Sequence, residues 1–194
     1  MANQQAQFGF KHIGFLSGGA PDYQQSSYAL QSTYSTKLYF GDPVVKSGAY
    51  IIKPADNTSA PLDGIFVGCE YQPSTGGPPQ WSPWWPGAAN ADAVAYVIDA
   101  PNAIFLVAAL QTAITSANIG NNIGFSTGAG GTTIGGGYST YVVDQSTLTT
   151  SSAWPFQVVG LYPGVGNGSD PTTNYNWVTV TFNNQRFKSL TGVA

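Results

Sequence analysis

Charge is what this chain most lacks. Lys, Arg, Asp and Glu together make up 8% of its 194 residues, against about 25% in an ordinary globular domain. Glu70 is the only glutamate and Met1 the only methionine, so strong helix formers are scarce while Thr, Val, Tyr and Ser abound. With 24 glycines and 13 prolines, long helices are excluded and an all-β protein is expected. Cys69 stands alone, which excludes an intramolecular disulfide framework and fits a chain folded in a reducing cytosol, with the thiol as a small buried hydrophobe. The six cations, Lys11, Lys37, Lys46, Lys53, Arg186 and Lys188, form no cluster, and the net charge is −3. A nucleic-acid surface is therefore not expected.

The N-terminus also lacks a charged segment followed by a sustained apolar one. Ile13 to Leu16 is broken by Gly14 and followed by SGGAP, so the start of the chain reads as neither a signal peptide nor a membrane span. A chain of this length buries roughly 70% of its unfolded surface, enough for a core that needs no metal or disulfide.

What is present organises around Ala91 to Leu110, the longest nearly uninterrupted apolar stretch. Ala93, Ala95 and Val97 alternate with Val94, Tyr96 and Ile98, and both sets are apolar, as in a strand covered on two faces. Asp99 to Asn102 supplies a turn, since Pro101 removes a donor and the flanking Asp and Asn satisfy local backbone groups. Ala103 to Leu110 then reads as a second strand, with a buried helix starting near Pro101 as the alternative.

Several further strands are legible. KLYFGDPVV reads as strand, turn and strand, followed by AYIIK at 49–53. Residues 54–63 form a polar loop. Gly64 to Tyr71 (GIFVGCEY) is a strong strand in which Gly68 marks a bulge or a close backbone approach. Gln111 to Asn118 allows one helical turn, Gly120 to Gly137 is a glycine-dense connection, and Tyr138 to Val143 restarts a strand. FQVVGLY at 156–162 and WVTVTF at 177–182 complete the set, the latter with clean alternation. The expected fold is a compact β-barrel or β-sandwich of short antiparallel strands with long Gly/Pro-rich loops. Residues 1–31, in which Phe8, Phe10, Phe15, Tyr23 and Tyr28 show no periodicity, are expected to form an extended N-terminal arm, and 32–194 a single β domain. GIFVGCEY followed by AVAYVID faintly echoes VVGLYPG followed by WVTVTFN, too little to rest a duplication on.

Signs of catalysis are weak. The one histidine, His12, lies in the expected arm and reads as structural or solvent-exposed. Gly124 to Gly128 fits the spacing of a nucleophile elbow around Ser126, but no helix pattern follows and His12 precedes the serine, against the order of that motif. No phosphate-binding loop is complete, because Thr133 stands where a third glycine is needed. Asp42, Asp56, Asp63, Asp92, Asp99 and Asp144 fall mostly at strand ends, where aspartate is a turn residue, and a glycosidase pair among them is the less favoured reading. No metal-ligand spacing occurs, and neither a cofactor nor a catalytic residue is expected.

The candidate interface residues are aromatic. Trp81, Trp84 and Trp85 sit among Pro78, Pro79, Pro83 and Pro86, where they are placed to stack on sugar rings, anchor a partner or cap one end of the core. Phe8, Phe10 and Phe15 offer anchors on the arm.

The order of motifs carries more than any one of them. FGF, GGAP, YFGDPV, GIFVGCEY, AYVIDAPNAIF, IGNNIGF with its glycine-rich follower, and FQVVGLY together resemble virion structural proteins of tailed bacteriophages, in particular podovirus-like head decoration or cement proteins. The likeness spans most of the chain and thins after Tyr138. Ala100 departs from it, since a second aspartate is common at that turn position. The resemblance implies a non-enzymatic protein, made in the host bacterial cytoplasm, that sits on the outer surface of the capsid. There it clamps subunits of the major capsid protein and self-associates, as a trimer more than a dimer, with no nucleic-acid or membrane partner. It transfers no catalytic residue. The alternative is a carbohydrate-binding virion module using the Trp81, Trp84 and Trp85 loop.

Overall fold

A computed structural model describes residues 2–22, 25–73, 75–127 and 139–188, and those residues are almost entirely strand, turn and loop. The expected all-β class is what forms, and its organisation is two five-stranded barrels. The first is built from β2 (Ser26–Leu30), β4 (Pro43–Ser47), β5 (Tyr50–Ile52), β6 (Gly64–Tyr71) and β9 (Ala93–Ile98). These run β4-β5-β2-β9-β6 and close by β6 pairing back to β4. The second comprises β10 (Ala103–Ala108), β11 (Asn122–Thr127), β12 (Tyr141–Thr149), β13 (Phe156–Leu161) and β14 (Trp177–Phe182). It runs β10-β14-β13-β11-β12 and closes through a parallel bridge from Ala109 to Val143. Closure leaves few open backbone edges in a chain with little charge to protect them.

The two barrels repeat one plan. The parallel contact of β2 with β5 at Ala29 and Tyr50 corresponds, one step along, to that of Ala109 with Val143. The antiparallel pair β6–β9 matches β13–β14 in register and in its irregularity, which falls between Phe66 and Gly68 in one and between Val158 and Gly160 in the other. Following these registers, Tyr28 aligns with Val107, Leu30 with Ala109, Val44 with Ile123, Ile51 with Val143, Phe66 with Val158, Ala95 with Val178 and Val97 with Val180. Every one of these side chains belongs to, or packs against, the core of its own barrel. Their inward alternation is the period-2 pattern that fixes register, because a slip of one residue would turn each of them to solvent.

Ala91 to Leu110 is the joint between the barrels. β9 closes the first, β10 opens the second, and the turn between them is held by the Ala103 N–H donating to the Ala100 carbonyl at 3.0 Å. Both halves are strands. The helical alternative fails because Ala103, Phe105 and Val107 face the core at every second position. Ile65 and Ile98, on the outside of the first barrel, pack into the core cluster of the second, so the covering of β9 on two faces is supplied by the neighbouring barrel. Two ion pairs, each with a buried carboxylate and a partly exposed cation, lie where segments converge: Lys53 Nζ to Asp42 at 2.9 Å, with the ammonium also over the Tyr141 ring, and Arg186 to Asp63.

Residues 1–31 are not an arm apart from the domain. β1 (Lys11–Phe15) pairs with β10 of the second barrel, and β2 is a closing strand of the first. Asn3 and Gln4 bond to the loop 167–173. Phe10 is 1% exposed, stacked on Phe156 with ring centroids 4.4 Å apart and edge-on to Phe105 and Phe125. The FGF and FGD motifs lock together here. The Phe10 N–H donates to the Gly41 carbonyl at 3.0 Å, while Gly9 and Gly41 both take positive φ and a Cβ on Gly9 would lie 2.3 Å from Ser139. The single domain expected over 32–194 is accordingly two barrels in contact, with the N-terminal strand β1 added to the second.

The remaining elements are small. β3 (Leu38–Tyr39) pairs with β8 (Trp84–Trp85), β7 (Gln80–Ser82) extends β6, and one 3₁₀ turn spans Ser116–Asn118, inside the stretch expected to turn. The glycine-dense connection read over 120–137 is shorter than expected, because its first part carries β11 of the second barrel. Its remainder, 128–137, lies outside the described residues.

Candidate functional site

The outer face of the first barrel, across β7, β6 and β9, is the candidate site. In β6 and β9 the inward residues are Cys69, Ala93 and Ala95, so Gly68, Glu70, Val94 and Tyr96 point outward. Glu70 stands opposite Trp81 on one side and Val94 on the other, and Gly68 stands opposite Tyr96. Trp81 is 60% exposed. Its indole lies on Gly68, where a Cβ would come within 2.9 Å of Cζ2. The glycine therefore serves both readings made of it, bulge and close approach, and leaves room for the indole against the sheet. The Tyr96 hydroxyl donates to Glu70 Oε2 at 3.2 Å. Across β9, on the side of β2 and β5, Asp92 accepts from the Ser32 N–H at 2.8 Å and the Tyr50 hydroxyl at 2.7 Å.

The tryptophan loop divides. Trp81 and Trp84 face outward, at 60% and 41% exposure, while Trp85 is wholly buried in the core of the first barrel. Its Nε1 donates to the Tyr34 carbonyl at 2.7 Å and its ring meets Tyr71 edge-on. A buried indole needs such a partner, and the backbone of the β2–β3 connection provides it. Trp85 and Phe10 are thus removed from the candidate interface: both are core residues, and neither has surface to offer. Phe8 is half-buried, edge-on to Trp177 at 5.0 Å, and with Lys11, Phe40 and Leu106 it lines a recess of about 390 Å³ on the second barrel. Phe15 is half-buried against His12 and borders a cleft of about 460 Å³ where the N-terminal strand, the Asp99–Asn102 turn and Phe187 meet. Of the six predicted aromatics, only Trp81 and Trp84 are exposed.

The residues weighed for catalysis are dispersed through the fold. His12 is buried, its Nε2 is 3.0 Å from the Gly14 carbonyl, and burial holds its pKa below the ordinary value. Ser126 is a buried residue in β11, and Gly128 of the supposed elbow lies outside the described residues. Each aspartate of the set has its own anchor. Asp42 binds Lys53, Asp56 binds Thr127, Asp63 binds Arg186, Asp92 binds Tyr50, Asp99 binds Ser26 and Tyr28, and Asp144 binds Asn57 and Ser146. Among the described residues no three His, Cys, Asp or Glu side chains converge as a metal would require, and no helix is long and apolar enough to cross a membrane.

Sequence reading missed Glu70 and Tyr96 as members of the outward face. The signal was present in the alternation of β6 and β9, but both faces of each strand carry apolar side chains, which hides the polar positions.

The fold and this face define an all-β protein of two repeated barrels that presents an aromatic and acidic surface. No protein-family model, curated protein or solved structure matches the chain.

Proposed function

We propose that this chain is a non-enzymatic capsid decoration protein that binds the outer surface of a tailed-bacteriophage head and holds neighbouring subunits of the major capsid protein together. The motif order from FGF to FQVVGLY supports the reading at the level of sequence. The observation that carries it in three dimensions is the outward display of Trp81 and Trp84 from a barrel whose strands are tied into a second barrel. Exposed tryptophans on a stiff support are the anchors a protein interface uses, and weak contacts repeated over a lattice add up through effective concentration. Self-association, with a trimer favoured over a dimer, belongs to the same proposal, as does synthesis in the host cytoplasm.

Purified protein is expected to rebind undecorated heads and to raise the temperature at which they disrupt. Failure to bind heads, together with absence from mature particles, would remove the proposal.

A carbohydrate-binding module is the second reading, favoured by the close approach of the Trp81 indole to Gly68 while the residue stays 60% exposed. Because Trp85 is in the core, its platform would consist of Trp81 and Trp84. Silence across an array of bacterial polysaccharides would count against it.

A further inference from the structure

The ion pairs among the described residues engage Asp42 and Asp63, so neither Glu70 nor Asp92 has a cationic partner there. Glu70 lies on the outer face that carries Trp81, and Asp92 lies beyond it on the β2–β5 side of β9. Asp92 is held below the ordinary carboxylate range by the Ser32 N–H and the Tyr50 hydroxyl, and is ionised at neutral pH. Glu70 receives one hydrogen bond, from Tyr96, and lies directly across from Trp81. An exposed indole thus adjoins a carboxylate, Glu70, that has no ion-pair partner among the described residues.

Such a surface discriminates among occupants. An anionic segment meets Glu70 as a like charge. An apolar segment would desolvate a carboxylate with nothing to compensate it. A neutral sugar would use the ring but not the charge. An organic cation uses both, since the ring quadrupole attracts positive charge and the carboxylate supplies a charge-assisted hydrogen bond. Between the two common cations, guanidinium is planar, stacks on an indole and donates two parallel N–H groups to one carboxylate, whereas ammonium is a compact and strongly hydrated point charge.

We propose that Trp81, Glu70 and Tyr96 form a receptor for an arginine side chain of a protein partner. If the decoration reading holds, that arginine belongs to a capsid subunit, but the recognition chemistry stands on this face alone.

The full chain is titrated with N-acetyl-arginine amide, N-acetyl-lysine amide and maltotriose while the Trp81 indole N–H is followed by NMR, its resonance assigned with Trp81→Phe. A saturable shift is expected with the arginine amide, binding about fivefold weaker with the lysine amide, none with maltotriose, and loss of the arginine response in Glu70→Gln. Glu70 is exposed, so that variant should unfold at the same temperature as wild type. If it does not fold, the wild-type arginine titration is repeated at high salt, where screening must weaken it. No arginine response, or one unaffected by Glu70→Gln or by salt, overturns the proposal, and so does a maltotriose response that survives Glu70→Gln. Head rebinding separately decides the decoration reading, so the two failures are distinguishable.

Discussion

Gly68 and Gly160 occupy the same step of the same bulge in two different barrels. Gly68 follows the pair Phe66–Val97 and faces Tyr96, while Gly160 follows Val158–Val180 and faces Thr179. The environments differ on the outside. A Cβ on Gly68 would meet the Ser82 carbonyl at 2.8 Å and the Trp81 ring at 2.9 Å, whereas one on Gly160 would meet only the Thr179 hydroxyl at 3.1 Å.

Gly68→Ala should therefore cost about 1–3 kcal/mol, the range for overpacking, because the Ser82 carbonyl is held in the backbone, and should lift the exposed Trp81 from the sheet. Gly160→Ala should cost less than about 1 kcal/mol, because a threonine hydroxyl can rotate away. Urea denaturation gives both costs, and Trp81 fluorescence reports the displacement. Equal costs at the two sites would show that the ring contact does not limit the bulge.

Phe10→Ala should destabilise the protein by about 3–5 kcal/mol, as for other large-to-small changes in a packed core. The side chain is 1% exposed among Phe105, Phe125 and Phe156. Phe8→Ala, at a half-buried position, should cost distinctly less. Removal of residues 1–30 should abolish cooperative unfolding, since it takes β1 from the second barrel and β2 from the first. A truncated chain that still melts cooperatively would return the segment to the status of an arm.

Burial pushes the Cys69 thiol up to about 12, and the side chain is wholly enclosed in the first barrel. The thiolate is the reactive form. A disulfide reagent at mildly alkaline pH should leave the native protein unmodified and label it at the rate at which the first barrel opens. Prompt labelling of folded protein would contradict the burial.

Asp144 is a buried carboxylate. Burial raises its pKa, but the Ser146 hydroxyl and N–H and the Asn57 amide outweigh this and hold it below the ordinary 3.8. A carboxylate whose folded pKa lies below its unfolded one contributes stability above the unfolded value and loses it as the pH falls through the folded value. Asp144→Asn should be less stable at neutral pH and should lose less on acidification from about pH 5 downward. Urea midpoints across that range measure it, and parallel curves for the two proteins would refute the assignment.

Much of the strand content was legible because it rests on local chemistry. GIFVGCEY, FQVVGLY and WVTVTF combine β-branched and aromatic residues with short alternation, and each forms a strand where it was read. β1 and β2 were not legible. The buried positions of β1 are His12 and Gly14, and β2 holds few apolar residues, so neither shows the period that marks a strand. On the candidate face, the run PQWSPWW exposes aromatic character but cannot say which ring turns inward. Trp84 and Trp85 are adjacent, and pairing with β3 places the second at Leu38, facing the core.

The sequence by itself determined the class of fold, through scarce charge and helix formers, and the positions of turns, through Gly, Pro and Asp. It also held a trace of the repeat in its best-matched hairpins, although unequal connections kept the other strands from aligning. Only the tertiary structure decided that Ala91 to Leu110 joins two barrels, that the N-terminal strand crosses to the second of them, and that Trp81 stays outside while Trp85 is enclosed. Those outcomes depend on which distant strands pair, and pairing is settled by closing a ring and filling its interior, to which residues far apart in the chain contribute together.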